Sequence, residues 1–400
     1  MFKQIFNLIK AFSWVSLFLG FGLVVNAQPT TKLVYDTAKN VIRNTRTNVN
    51  WQRFAAQLKH SQKGVTIIHL GDSHIQGGYF TTRVRALLYD KYGIRERGFV
   101  FPYSLIKANG PEDVRFYSPN AWEGQKYNHS FRKGKAGISG YHLSMMDSVA
   151  SLTVALRQGS ESKYPFQELS VYHEDPLLKV TSNETVRFSL DSIDSKLFVT
   201  HMVLNHRLDS IQLRFGKGKA GCQLYGIELK NNRPGITYHT MGVNGASFET
   251  FTRAINFSSM LKALQPDCII ISLGTNDCYL RQLDTLQLKR NICSMVESIK
   301  HEFPKACILL TTPNDYLLRK KYLNPNLPLT SELIIRTALE LGCAYWDFFE
   351  VMGGLGSSKR WKKNGFMYKD ILHLSKDGYK LQGDLFFKAF SSSIENTDIQ

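Results

Sequence analysis

Three runs in this chain, residues 65–70 (VTIIHL), 267–273 (DCIIISL) and 306–312 (ACILLTT), are apolar at nearly every position rather than at every second one. A strand of that kind is buried on both faces, as in parallel sheets covered by helices. Helix-period segments stand between such runs. Residues 81–92 carry Val84, Leu87 and Leu88 on one face, and 283–299 space Leu288, Ile292, Val296 and Ile299 as a stripe. Residues 236–243 and 344–348 read as two more strands, 330–341 and 377–390 as two more helices. Strands alternating with helices predict βαβ units and an α/β fold.

Residues from about 112 to 235 break that rhythm. Short runs at 166–173, 185–192, 198–205, 210–215 and 223–229 alternate polar with apolar residues, separated by turn-rich pieces. This spacing predicts a β-sandwich. The expected organisation is therefore an α/β domain made of 28–111 and 236–400, interrupted by an inserted all-β domain at 112–235.

Residues 1–27 read as a secretory signal peptide. Lys3 and Lys10 form a basic start, residues 11–25 (AFSWVSLFLGFGLVV) are uncharged and apolar, and Val25-Asn26-Ala27 offers a cleavage site before Gln28. As a helix that apolar run reaches about 23 Å, short of the roughly 30 Å hydrocarbon core of a bilayer. No cysteine precedes Cys222, which excludes a lipidated cysteine at the cleavage site, and no later run is long enough to span a membrane. The expectation is an exported protein, periplasmic or extracellular. Its 50 Lys+Arg against 33 Asp+Glu give a net charge of +17, which favours an acidic partner. Export argues against nucleic acid as that partner. Most of the excess lies in residues 28–111, and the middle segment is almost neutral. The oligomeric state is left open.

Of the six cysteines, Cys268 and Cys307 fall inside predicted strands and Cys293 in a predicted helix; no CxxC or Cys/His metal spacing occurs. A disulfide framework is excluded, while a single bridge stays open. No HxH or HExxH occurs either, and neither a metal nor an organic cofactor is expected.

Four polar motifs fall at strand ends or just before helices: Gly71-Asp72-Ser73-His74, Gly242-Val243-Asn244-Gly245-Ala246-Ser247, Gly274-Thr275-Asn276-Asp277 and Asp370-Ile371-Leu372-His373. Open α/β sheets bind ligands at the carboxyl ends of their strands, so motifs far apart in sequence converge there. Each alone has an ordinary role, a turn or a helix cap. Together and in this order they resemble the SGNH (GDSL-type) hydrolase superfamily, whose blocks are a GDS serine, a glycine, an asparagine and a DxxH pair. The resemblance covers the α/β part and implies a flavodoxin-like, three-layer parallel sheet. No GxSxG occurs, which excludes the usual α/β-hydrolase elbow.

Ester cleavage assigns the roles. A serine hydroxyl needs a base to take its proton, and neutral histidine suits this. Ser73 is the expected nucleophile, His373 the base and Asp370 the group that orients the imidazole. The resemblance implies the Ser73 and Gly245 backbone N–H groups and the Asn276 amide as oxyanion donors. Asp72 reads as a structural turn residue. His74 is left out of the triad, because its position next to the nucleophile points it away from Ser73.

An insertion between the serine and glycine blocks, with residues 235–247 (GITYHTMGVNGAS) and 346–354 (WDFFEVMGG), is similar to the peptidoglycan O-acetylesterases of this superfamily. That similarity implies removal of acetyl groups from envelope glycans or other polysaccharides, and a carbohydrate-binding-like inserted sandwich. Its Trp122, Tyr127, Tyr164, Tyr172 and Tyr225 either stack on sugars or, as is commoner, fill the sandwich core. The run Lys359-Arg360-Trp361-Lys362-Lys363 is either a solvated face or a contact for carboxylates; on the second reading Trp361, Lys362 and Lys363 bind substrate. Two further readings stay open: a glycan O-acetyltransferase using the same acyl-Ser73, and a glycan-binding protein without activity.

Overall fold

The residues of the apolar runs pair as parallel strands. The computed structural model describes residues 34–60, 64–126, 137–157, 164–216, 218, 221–231, 233–253 and 257–397; the expected leader at 1–27 and Tyr127 lie outside them. The main sheet runs Ile42–Arg43, Ala344–Trp346, Cys307–Thr311, Cys268–Ser272, Val65–Gly71, Ile236–Gly242 and Ile94–Glu96, in that spatial order. All neighbours are parallel except the Ile42–Arg43 edge. Apart from the edge strand Ile94–Glu96, the five parallel strands follow the flavodoxin-like order 2-1-3-4-5, with Val65–Gly71 first in chain order and Cys268–Ser272 third.

Alternation within each strand feeds two cores. Ile67, Ile270 and Leu309 face helices Val49–His60, Tyr79–Tyr92 and Lys376–Glu395 through Phe54, Val84 and Phe386. Ile68, Ile269 and Ile308 join the other cluster, with Ile292 and Val296 of helix Thr285–Glu302 and Ile334 of helix Asn326–Glu340. This is the expected three-layer arrangement. The short edge strands Ile42–Arg43 and Ile94–Glu96 and the helix Val49–His60 went unread in the sequence.

The middle of the chain forms two antiparallel sheets. One is ordered Lys179–Thr181, Ser210–Gly216, Ala150–Leu156, Val114–Tyr117. The other runs Thr185–Asp194, Leu197–Leu208, Phe166–His173, Gln223–Lys230, Tyr141–Met145, Trp122–Lys126. Gly98–Val100 pairs with Gln223–Lys230, so this larger sheet recruits a strand from before residue 112. Leu143 and Val171 of the insert share one apolar cluster with Val243, Ala246 and Ile269 of the α/β part. All six cysteines are free thiols. No helix among the described residues is long and apolar enough to cross a membrane.

Candidate active site

Val65–Gly71 ends directly in the four-residue helix Ser73–Gln76. Asp72 caps that helix by accepting the His74 N–H at 2.9 Å, and burial pushes its carboxyl up to about 6. The helix sits hard against the sheet: a Cβ on Gly242 would lie 2.0 Å from the Gln76 nitrogen. Glycine is the residue that permits this approach.

Ser73 Oγ lies 2.8 Å from His373 Nε2, and His373 Nδ1 lies 2.7 Å from Asp370 Oδ2. The three side chains thus form one hydrogen-bonded line drawn from positions 300 residues apart. Asp370 Oδ1 also accepts the Leu372 and His373 N–H groups, each at 3.0 Å, which closes the Asp370–His373 segment on itself. Ile371 at the centre of that closure is held at φ +54°. A β-branched residue in the left-handed region is strained, so this conformation persists only because its surroundings enforce it. Partial burial works to raise the Asp370 pKa, but the hydrogen bonds from the His373 ring and the two N–H groups outweigh it and hold the carboxylate below its ordinary value. An ionised Asp370 keeps the imidazole proton on Nδ1 and leaves Nε2 as acceptor for the serine hydroxyl.

Gly245 has φ +79° in the turn that follows Ile236–Gly242, a conformation suited to glycine. The Asn276 amide donates to Ala246 O at 2.9 Å, tying the asparagine block to the glycine block. Next to it, burial pushes Asp277 up to about 7.

Three features escaped the sequence reading. Gln76 is buried and joins four segments: its carbonyl accepts the Asn244 N–H at 2.6 Å and the Tyr141 hydroxyl at 2.9 Å, while its amide donates to Asn109 O at 2.8 Å. Tyr141 belongs to the insert, so an inserted strand touches the support of the glycine turn. The His74 ring packs against that of His373, and its Nδ1 pairs with the Tyr379 hydroxyl at 2.8 Å. The hairpin Leu317–Leu318/Tyr322–Leu323 lies against the Asp370–His373 segment. A GDS-type motif search carries no signal for any of these.

Trp361 must be corrected. It is fully buried, and its indole N–H donates to Val34 O at 2.9 Å and to Met352 O at 3.1 Å. The helix Ser357–Lys363 turns Trp361 into the core while Lys359 and Lys363 stay exposed, so the charges concealed an amphipathic helix. Lys362 is half-buried and its amine donates to Tyr368 O at 3.1 Å. In the insert, Tyr164, Tyr172 and Tyr225 are buried and Trp122 packs edge-on against Phe215, which makes these core residues rather than sugar platforms.

A cavity of about 310 Å³ lies where Gly98–Val100 meets the insert, walled by Phe99, Phe101, Tyr103 and Phe116; no triad residue borders it. Among the described residues, no three His, Cys, Asp or Glu side chains are grouped as metal ligands.

The GDSL-like Lipase/Acylhydrolase family matches residues 218–381, a span holding Gly245, Asn276, Asp370 and His373 but not Ser73. A solved peptidoglycan O-acetylesterase has the same fold, with a TM-score of 0.73 at 20% identity over 91% of this chain and 99% of that one. Two weaker likenesses are a putative acylhydrolase from Bacteroides fragilis (TM-score 0.33, 19% identity, 39% of this chain and 76% of that one) and an acetylxylan esterase from Geobacillus stearothermophilus (0.30, 18%, 40% and 73%). No curated protein matches the chain by sequence. The matched segment covers less than half of the chain, and together with the shared fold it makes the chain similar to the GDSL-like acylhydrolases, a resemblance that supports a carboxylic ester hydrolase.

Proposed function

We propose that the protein is an exported esterase that removes O-acetyl groups from a polysaccharide, with peptidoglycan the favoured substrate. The observation that carries this reading is the hydrogen-bonded line Ser73–His373–Asp370. In the first step His373 Nε2 takes the Ser73 proton as Oγ attacks the acetyl carbonyl, and the carbonyl electrons move onto oxygen. The Ser73 and Gly245 N–H groups and the Asn276 amide receive that oxyanion. Collapse expels the sugar alkoxide, which takes the proton back from His373, and leaves acetyl-Ser73. Water, deprotonated by His373, then releases acetate and restores the serine. Asp370 stabilises the imidazolium in both steps without taking its proton.

The solved peptidoglycan O-acetylesterase supports the choice of glycan, because its fold extends across the insert as well as the α/β part. The test is acetate release from a panel of O-acetylated glycans, including peptidoglycan, by the wild type and by Ser73→Ala. Acetate from at least one glycan, abolished by the substitution, is the expected result. Acetyl transfer to an added glycan without net acetate release replaces the reading with a transferase. Glycan binding with no ester cleavage replaces it with a binding protein.

A further inference from the structure

A hairpin turn whose two central residues have positive φ is ordinarily supplied by Asn-Gly, since other side chains meet the backbone there. In the turn between Leu317–Leu318 and Tyr322–Leu323, closed by the Lys321 N–H on Leu318 O at 3.1 Å, those residues are Arg319 at φ +49° and Lys320 at φ +62°. Lys321 follows. The three basic residues are exposed, repel one another, and among the described residues no carboxylate pairs with them. The turn thus combines backbone strain with uncompensated charge. Strain of this sort is kept where it serves a site.

Its position supplies the site. The Leu317 N–H donates to Ile371 O at 3.0 Å, and Asn314 Nδ2 donates to Leu372 O at 3.1 Å. The segment leading into the hairpin therefore holds the two carbonyls between Asp370 and His373, one of them on the strained Ile371. Tyr322 is 56% exposed and carries the Lys321 ammonium 5.4 Å from its ring centre, an aromatic face edged with positive charge. Exposed Lys363 and Lys369 belong to the same basic stretch of chain around Asp370.

We infer that the hairpin Leu317–Leu323 is an anion-recognition element beside the candidate triad, and that it selects acetylated glycans bearing carboxylates over neutral ones. This rests on the esterase reading for its chemistry but not for its binding. Carboxylates on the sugar chain pair with Arg319, Lys320 and Lys321 while Tyr322 offers a stacking surface for a ring.

The test uses the full chain and the variant Arg319→Asn/Lys320→Gly/Lys321→Gln. Asn-Gly is the dipeptide such a turn prefers, so loss of fold does not explain loss of binding. In affinity electrophoresis through polygalacturonate, the wild type is retarded, while in neutral xylan it is not; the variant loses most of the retardation. The ratio of kcat/KM on acetylated polygalacturonate to that on acetylated xylan falls about tenfold in the variant, through KM, and its salt dependence flattens. Equal mobility of the two proteins in polygalacturonate, or an unchanged ratio, overturns the inference. Retardation without acetate release from any glycan overturns the esterase reading alone.

Discussion

The rings of His74 and His373 lie 4.9 Å apart, tilted by 35°, so the proposed base rests on the residue that directly follows the proposed nucleophile. Burial holds the His74 pKa well below its ordinary value, and the nearby His373 lowers it further. A neutral ring in that place supports His373 without repelling the imidazolium that forms on it. His74→Ala is expected to lower kcat on a small acetyl ester about tenfold by freeing the His373 ring, and His74→Phe, which restores a ring, to recover most of the loss. Stopped-flow acylation rates check both; equal rates for Ala and Phe would remove the ring contact from the account.

Asp370→Asn separates charge from geometry. The asparagine oxygen still accepts the Leu372 and His373 N–H groups, so the segment keeps its shape. The imidazole loses the anion that fixes its tautomer, and kcat is expected to fall about 10²–10⁴-fold with little change in thermal midpoint. Parallel kinetics and calorimetry decide this, and a stable enzyme with near-normal kcat would remove Asp370 from the mechanism.

Gln76 supports the glycine turn from behind. Gln76→Leu leaves the Asn244 N–H, the Tyr141 hydroxyl and the Asn109 carbonyl without their partner, at a cost of about 1–3 kcal/mol for each group that stays buried. Because Asn244 precedes Gly245, the larger effect is expected on turnover: about a hundredfold loss of kcat for Gln76→Leu and a few-fold loss for Tyr141→Phe, with KM on 4-nitrophenyl acetate nearly constant. A change confined to KM would contradict this placement.

His69 gives a pH test of the core. It is buried in Val65–Gly71 between the Tyr238 and Ser272 hydroxyls, and burial pushes it down to about 3. A lowered histidine contributes stability that is complete above its ordinary value near 6.5 and is lost as pH falls from there toward 3. Relative to the wild type, His69→Gln is expected to flatten the acid side of the stability curve by one proton, about 1.4 kcal/mol per pH unit between pH 6 and 4. Urea unfolding at pH 7 and pH 5 measures it. The buried acids Asp72 and Asp277 slope the other way but are common to both proteins.

The strands at Val65–Gly71, Cys268–Ser272 and Cys307–Thr311 were legible because burial on both faces leaves a continuous apolar run, and the serine and asparagine motifs because each follows such a strand. Ile42–Arg43 has two residues and Ile94–Glu96 three, too few to establish a period. Trp361 was misread because a charge run and an amphipathic helix look alike over five residues. Gln76 was invisible for a different reason. Its importance lies in the partners it has, and those come from three other places in the chain that only the folded structure brings together.

The span of 300 residues between Ser73 and His373 has a consequence for synthesis. A growing chain that has made the serine helix and the insert still lacks the proposed base, and the helix Lys376–Glu395 follows later still. A product ending before His373 would lack the proposed base of Ser73. On the proposed mechanism, activity therefore reports molecules in which residues around position 373 have been made and have closed onto the serine block.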